Sequence, residues 1–359
     1  KIKPALLSAN GIQKKAIILD CDNTLWGGIL GEDQQNKIEI NESTERGKIF
    51  KQAQMILKGF KNQGVILNIC SKNNFNDVEK FFKKNSELPL KFGDFVIKKI
   101  NWKNKVDNIR DIAKELNIGI DSMIFIDDSS YEIGLVKKYL KSIKCIQVPK
   151  DLSEYTNALE NIKNDFYIKT KTSEDRTRTK MYLQEKERLE HMKKFSQLDN
   201  YVNSLRIKIK FVFGKYINIA RAAQMCQKTN QFNLTTIRYS EADIKKMIYN
   251  KKIIVTTISV KDIYGDYGIT GLMIIKIDNN SQASIDLFLM SCRIIGRKIE
   301  ENFLKNIFKV LKKKKIRVLK AKYIKTEKNI IVRDLYEKNG FIHTSNKGKI
   351  KLYQKNLSQ

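Results

Sequence analysis

Through the first 150 residues, short apolar runs alternate with amphipathic stretches. Runs at 16–20, 65–70, 123–128 and 145–148 are nearly continuous in apolar character and have the length of strands buried on both faces. Between them, 44–63, 75–84, 103–116 and 131–140 carry apolar residues at helical spacing. Each strand and helix together have the length of a parallel crossover, so the pattern predicts an α/β domain: a parallel sheet with helices on both faces. A charged stretch, 151–200, with a helical pattern at 181–195, reads as a connector. Beyond it, 207–213, 253–260, 269–277 and 284–290 predict strands, several of them alternating. Helical spacing recurs near 216–227, 242–249, 300–311 and 329–338. An α+β domain is therefore expected, and the organisation reads as 1–150, connector 151–200, and 201–359.

Composition narrows the picture. The 359 residues, 42% of them hydrophobic, suffice for two cores. No apolar run approaches the roughly 20 residues that span a bilayer, and the first residues do not resemble a signal peptide. A cytoplasmic protein with no membrane partner is the expectation. The formal charge of +30 raises a nucleic-acid reading. Lysine is spread over nearly every predicted helix, however, so no nucleic-acid partner is expected, and the field instead steers an acidic metabolite or an acidic carrier protein. The densest basic run, Lys312 to Lys315, reads as a helix end. Cys21, Cys70, Cys145, Cys226 and Cys292 show no C-x-x-C pairing, which predicts reduced thiols.

In a parallel sheet, ligands bind beyond the carboxyl ends of the strands, which selects Asp20, Ser71, Asp127 and Asp128. Asp20 and Asp22, two residues apart at the end of the first run, point the same way. One can serve as nucleophile or metal ligand and the other as acid and base on a single phosphate. Thr24 and the amides after it can steady that phosphate. Ser71 in Cys70-Ser-Lys-Asn73 offers a hydroxyl at a strand end, and Asn101-Trp-Lys-Asn-Lys105 offers a cation, with Lys103 and Lys105 both open. The pair Asp127-Asp128 is the hard oxygen ligand set that Mg²⁺ favours.

Taken in order, Asp-x-Asp-x-Thr, Ser, Lys and Asp-Asp on alternating β and α resemble the haloacid dehalogenase superfamily of phosphohydrolases. That resemblance implies a Rossmannoid sheet with Asp20 as nucleophile and Asp22 as acid and base. It also implies Mg²⁺ on Asp20, the Asp22 carbonyl, Asp127 and Asp128, and phosphate contacts from Thr24, Ser71, Asn73 and Lys105, which matches the family pattern better than Lys103. A β-hairpin at 29–40 plus one helix fills most of the interval between Asp20 and Ser71, so no large cap fits. The site then opens to solvent, where it can admit a protein-tethered substrate, or is covered by the second domain.

In the second half, Asp286-Leu-Phe-Leu-Met-Ser-Cys-Arg-Ile-Ile-Gly-Arg-Lys298 follows a strand and opens a helix, a geometry suited to an anion. It resembles the acyl-CoA loop of the Gcn5-related acyltransferase fold, as 328–341 resembles that fold's later helix and strand. Lys298 stands where a small residue is expected, which obstructs a pyrophosphate but leaves a carrier-borne pantetheine arm compatible. With Asp20-Cys-Asp-Asn-Thr-Leu-Trp-Gly-Gly28, Glu174-Asp-Arg-Thr-Arg178, 227–236, Gly265-Asp-Tyr-Gly268 and Ser291-Cys-Arg293, almost the whole chain resembles the FkbH-like family. The resemblance implies an enzyme that takes the D-glyceryl group of 1,3-bisphosphoglycerate, removes its remaining phosphate and loads glycerate on an acyl carrier protein. The family's usual Asn-Pro after the paired acids is Ser129-Ser130 here.

Cys292 beside Arg293, at a helix start, is the candidate acyl acceptor, with Arg293 a candidate for binding the substrate, against a reading of Cys292 as a small buried residue. His191 and His343 are the only histidines, so a Cys–His pair would draw on His343. Asn230, Gln231 and Asn233 either line the acyl site or hold a loop. The alternative function is a Mg²⁺-dependent phosphatase or acyl-modifying enzyme of surface polysaccharide synthesis.

Overall fold

The computed structural model describes residues 13–30, 38–166, 177–279 and 281–357. Most of the 29–40 hairpin and most of the 174–178 motif lie outside the described residues. The chain divides into two compact units between Lys186 and Glu187.

The first unit holds a five-stranded sheet in the order β3-β2-β1-β4-β5, every described pairing parallel. Its strands are β1 (Ala16–Leu19), β2 (Ile66–Ser71), β3 (Phe95–Ile100), β4 (Met123–Asp127) and β5 (Lys144–Gln147). This is the doubly wound α/β arrangement expected of the haloacid dehalogenase type. β1, β2 and β4 are buried on both faces, which explains their unbroken apolar runs. Ile17 and Leu19 of β1 pack with the helices Glu45–Asn62 and Tyr155–Asn161, whereas Ala16 and Ile18 face Lys105–Leu116 and Ser130–Tyr139. Helix starts follow local chemistry: the Thr44 hydroxyl accepts from Gly47 N–H, Asn104 Oδ1 from Val106 N–H, and Ser129 Oγ from Glu132 N–H. Ser129 therefore caps a helix in the loop where the chain departs from the family pattern.

The second unit is α+β, as expected. Its seven-stranded sheet runs β11-β12-β10-β9-β8-β7-β6. The strands are β6 (Lys208–Phe213), β7 (Ile253–Asp262), β8 (Gly265–Ile277), β9 (Gln282–Met290), β10 (Val318–Ile324), β11 (Ile342–Lys347) and β12 (Ile350–Asn356). One face packs on helix Ile299–Lys313, which ends within the basic run, and the other on Ile219–Lys228 and Glu241–Ile248. The helix expected at 329–338 is two short pieces, Ile330–Val332 and Leu335–Lys338. No helix among the described residues is long and apolar enough to cross a membrane. All five cysteines are free thiols.

β9 and β10 are parallel but pair only over Gln282–Ser284 and Val318–Lys320. Past that point the strands part, and residues 232–235 fill the wedge. Leu234 N–H donates to Phe288 C=O at 3.1 Å, Met290 N–H to Phe232 C=O at 3.0 Å, and Ile324 N–H to Leu234 C=O at 2.8 Å. Thr235 Oγ1 donates to Asp286 C=O, and the fully buried Asn329 donates from Nδ2 to Asn233 C=O at 2.9 Å. Asn233 Oδ1 in turn accepts from the amides of Thr235 and Thr236. Asn233 thus holds a loop, and Asn230 does so by accepting from Arg238.

Candidate active site

The carboxyl ends of β1, β2 and β4 meet where the sequence places its candidates. Asp20 follows β1, Ser71 ends β2, and Asp127 ends β4. The turn after Asp20 needs unusual backbone: Asn23 sits at φ 49° and Gly28 at φ 98°, where a glycine carries no Cβ penalty. Asn23 Oδ1 accepts from Gly28 N–H, closing that turn.

One ligand oxygen from each of Asp20, Asp127 and Asp128 lies within 4.8 Å of the others. Lys105, from the first turn of its helix, donates to Asp127 Oδ2 at 2.6 Å and pairs with Asp20 Oδ1 at 3.1 Å. Of the two lysines left open by sequence, Lys105 is buried against Asp20 and Asp127, whereas Lys103 is exposed. Burial works against its charge, yet Asp20 and Asp127 more than offset this and hold its pKa above the usual lysine range. Burial lifts Asp127 to about 7, with the Asp20 charge adding and Lys105 opposing. Asp128 is raised as well, again chiefly by burial and then by Asp20. Three carboxylates this close repel one another, and an added divalent cation would relieve the repulsion. The donor set is all oxygen and fits Mg²⁺. Thr24 Oγ1 is buried with no hydrogen-bond partner, the kind of orphan that a phosphoryl oxygen would satisfy.

Asp22 is held differently. Its Oδ1 accepts from Trp26 Nε1 at 2.9 Å and from Leu30 N–H at 3.2 Å, and its Oδ2 accepts from Asn73 Nδ2 at 2.9 Å. Burial dominates and lifts its pKa to about 6, with the Asp20 and Asp128 charges adding and the Leu30 and Trp26 donors opposing. Such a group protonates a leaving oxygen near neutrality. Asn73, expected to contact phosphate, donates its side-chain amide N–H to Asp22. Ser71 is buried, with its hydroxyl against the Cys21 thiol.

Lys72 and Glu132 were not singled out by sequence. Lys72 Nζ bonds Glu132 Oε1 at 2.6 Å, and the second oxygen of this buried glutamate has no hydrogen-bond partner. Position alone was the signal: Lys72 follows Ser71, and Glu132 lies one turn past the paired acids.

In the second unit, Cys292 is half-buried and follows β9 in a three-residue 3-10 turn, Cys292–Ile294. The long helix begins only at Ile299, so the expected helix start at Cys292 is corrected. Arg293 is turned inward, its Nε donating to Ser291 Oγ at 3.2 Å. Lys298 occupies a left-handed position at φ 56° and pairs with Asp199. His343, on β11, is level with Ala321 in the middle of β10 and has β12 and β10 between it and β9, whereas Cys292 lies past the far end of β9. The sheet therefore separates Cys292 and His343. A coenzyme A-type arm running between β9 and β10 would need the backbone groups that residues 232–235 already satisfy. The residues present do not fit it there.

No protein-family model matches the chain, and no curated protein matches it. Among solved structures, the N-terminal part of protein BF1531 from Bacteroides fragilis, containing a phosphatase domain complexed with Mg, matches at 37% identity and a TM-score of 0.44. The match covers 45% of this chain and 43% of that one, so it spans less than half of the Bacteroides chain. The ribosomal-protein-S18-alanine N-acetyltransferase from Escherichia coli matches at 10% identity over 42% of this chain and 96% of that one, with a TM-score of 0.34. Ard1 from Thermoplasma volcanium matches at 12% identity over 42% and 99%, with a TM-score of 0.33. The chain is thus similar to a phosphatase domain and to N-acetyltransferases.

Proposed function

We propose that the chain is a Mg²⁺-dependent phosphohydrolase joined to an acyl-transfer unit, which takes the D-glyceryl group of 1,3-bisphosphoglycerate, removes its remaining phosphate and loads glycerate on an acyl carrier protein. The convergence of Asp20, Asp127, Asp128 and Lys105 at one sheet edge carries the phosphatase half. Asp20, Asp127, Asp128 and the Asp22 carbonyl would hold Mg²⁺, which offsets charge on phosphoryl oxygens when bound. The Asp20 carboxylate attacks phosphorus, the bond to the leaving oxygen breaks, and Asp22 supplies the proton that oxygen needs. Asp22, now a carboxylate, takes a proton from the water that cleaves the aspartyl-phosphate. Lys105, paired with Asp20 at 3.1 Å, steadies the phosphoryl oxygens.

Cys292 supports the acyl half as a half-buried thiol on a turn. Its thiolate attacks the acyl carbon of the acyl phosphate and expels inorganic phosphate, and the carrier's pantetheine thiol, approaching from outside the filled gap between β9 and β10, then takes the acyl group and returns the Cys292 thiol. Cys292→Ala is expected to abolish carrier loading while hydrolysis of p-nitrophenyl phosphate survives, read by carrier mass and released phosphate. Equal loss of both would contradict this division, and full turnover without any carrier would favour the plain phosphatase.

A further inference from the structure

The catalytic groups are sunken and the rim above them is aromatic. Asp20, Thr24, Ser71, Lys105 and Asp127 are all buried. Around them, in the segments that follow β2, β3 and β4, Phe75 and Tyr131 in the first turns of their helices and Trp102 on a loop are 43%, 67% and 70% exposed. All three strands are parallel and end at the same edge, so these side chains share one mouth. The loops are tied to one another across it: Trp102 Nε1 donates to Asn74 Oδ1 at 3.1 Å, and Lys72, the residue after Ser71, reaches Glu132 beside Tyr131. The strand order β3-β2-β1-β4 makes the rim about 14 Å wide, close to the diameter of one helix with its side chains. Large aromatic side chains exposed together mark a contact surface rather than ordinary solvent-facing chain.

We propose that this rim docks an acidic protein that presents the phosphorylated group on a slender arm. The proposal rests on the carrier-protein reading above and adds the surface that recognises the carrier. A buried phosphate site with an exposed aromatic collar suits a substrate whose reacting end is thin and whose body stays outside. The exposed Lys103 beside Trp102, on a chain of net charge +30, favours an acidic body. A nucleic acid fits less well, because a continuous phosphate backbone would cross a mouth lined below by Asp20, Asp22, Asp127 and Asp128.

Trp102 supplies a direct readout, since the chain has only two tryptophans and the other, Trp26, is buried. Titrating the full chain with an acidic holo acyl carrier protein should shield Trp102 from acrylamide, with affinity falling as salt rises. Trp102→Ala with Tyr131→Ala should raise KM for a carrier-borne phosphate ester by about tenfold or more, with kcat and the hydrolysis of p-nitrophenyl phosphate within about twofold of wild type. Equal losses on both substrates would make these residues supports of the site and overturn the proposal. Unchanged KM, a Trp102 already shielded in the free chain, or a Trp102 signal given by single-stranded RNA and not by the carrier would each overturn it too. Saturable carrier binding at Trp102 without any glyceryl transfer would keep the rim and discard the glyceryl reading.

Discussion

The raised pKa of Asp22, about 6, decides its use. An ordinary aspartic acid is protonated to only about 0.1% at pH 7, whereas a group at about 6 is protonated to roughly 10%, a hundredfold gain in the acid form. Phosphoryl transfer to Asp20 should therefore fall as pH rises through about 6, and Asp22→Asn should lower the rate by about 10²–10⁴-fold and flatten that limb, read by stopped-flow phosphate release. Asn73→Ala, which removes a positioning bond rather than the acid, should lower kcat more than it raises KM. The nearness of Asp20 and Asp22 at one strand end was legible in sequence because strand periodicity fixes where residues two apart point. The partner of Asn73 was not, because a side chain at a strand end can turn either to substrate or to a neighbouring carboxylate, and only the loop geometry chooses.

Elements read from sequence failed where lysine interrupts an apolar run. β3 carries Lys98 and Lys99 at a sheet edge, where one side of the strand meets solvent and polar residues are tolerated. In β10, Leu319, Ala321 and Tyr323 face the core while Lys320 and Lys322 point away, so the strand shows no unbroken apolar run. The three central runs of the first unit, β1, β2 and β4, were legible because burial on both faces leaves few polar positions. The wedge between β9 and β10 was illegible, because residues 227–236 show neither period. Three backbone hydrogen bonds at about 1 kcal/mol each, and the burial of Phe232 and Leu234 at about 2 kcal/mol each, hold that segment in the sheet. Calorimetry with free coenzyme A should accordingly show no saturable binding to the second unit. Binding with faster amide exchange at Leu234, Met290 and Ile324 would contradict the closed wedge. Ser129→Ala, which removes a helix cap beside the metal-site acids, should cost about 1 kcal/mol in denaturant unfolding.

For the whole molecule, the clustered acids link stability to pH and to cation. Asp22 and Asp127 have folded pKa values near 6 and 7, above the ordinary 3.8, so the stability they contribute is present below about pH 4 and lost as pH rises through those values. Without divalent cation, the Tm should fall between pH 4 and 7, and added Mg²⁺ should restore it at pH 7 but have little effect at pH 4. Net charge acts at the same scale, because a field of +30 would draw an acidic partner from every direction while Trp102 and Tyr131 would anchor it at the mouth of the parallel sheet. The two chemistries proposed for the chain leave different covalent traces on it. Intact mass after brief exposure to Mg²⁺ and freshly generated 1,3-bisphosphoglycerate, with acid quenching, reads both at once. The account predicts a phosphoryl adduct that Asp20→Asn loses and a glyceryl or phosphoglyceryl adduct that Cys292→Ala loses. Adducts that persist in these variants, or none on the wild type, would contradict it.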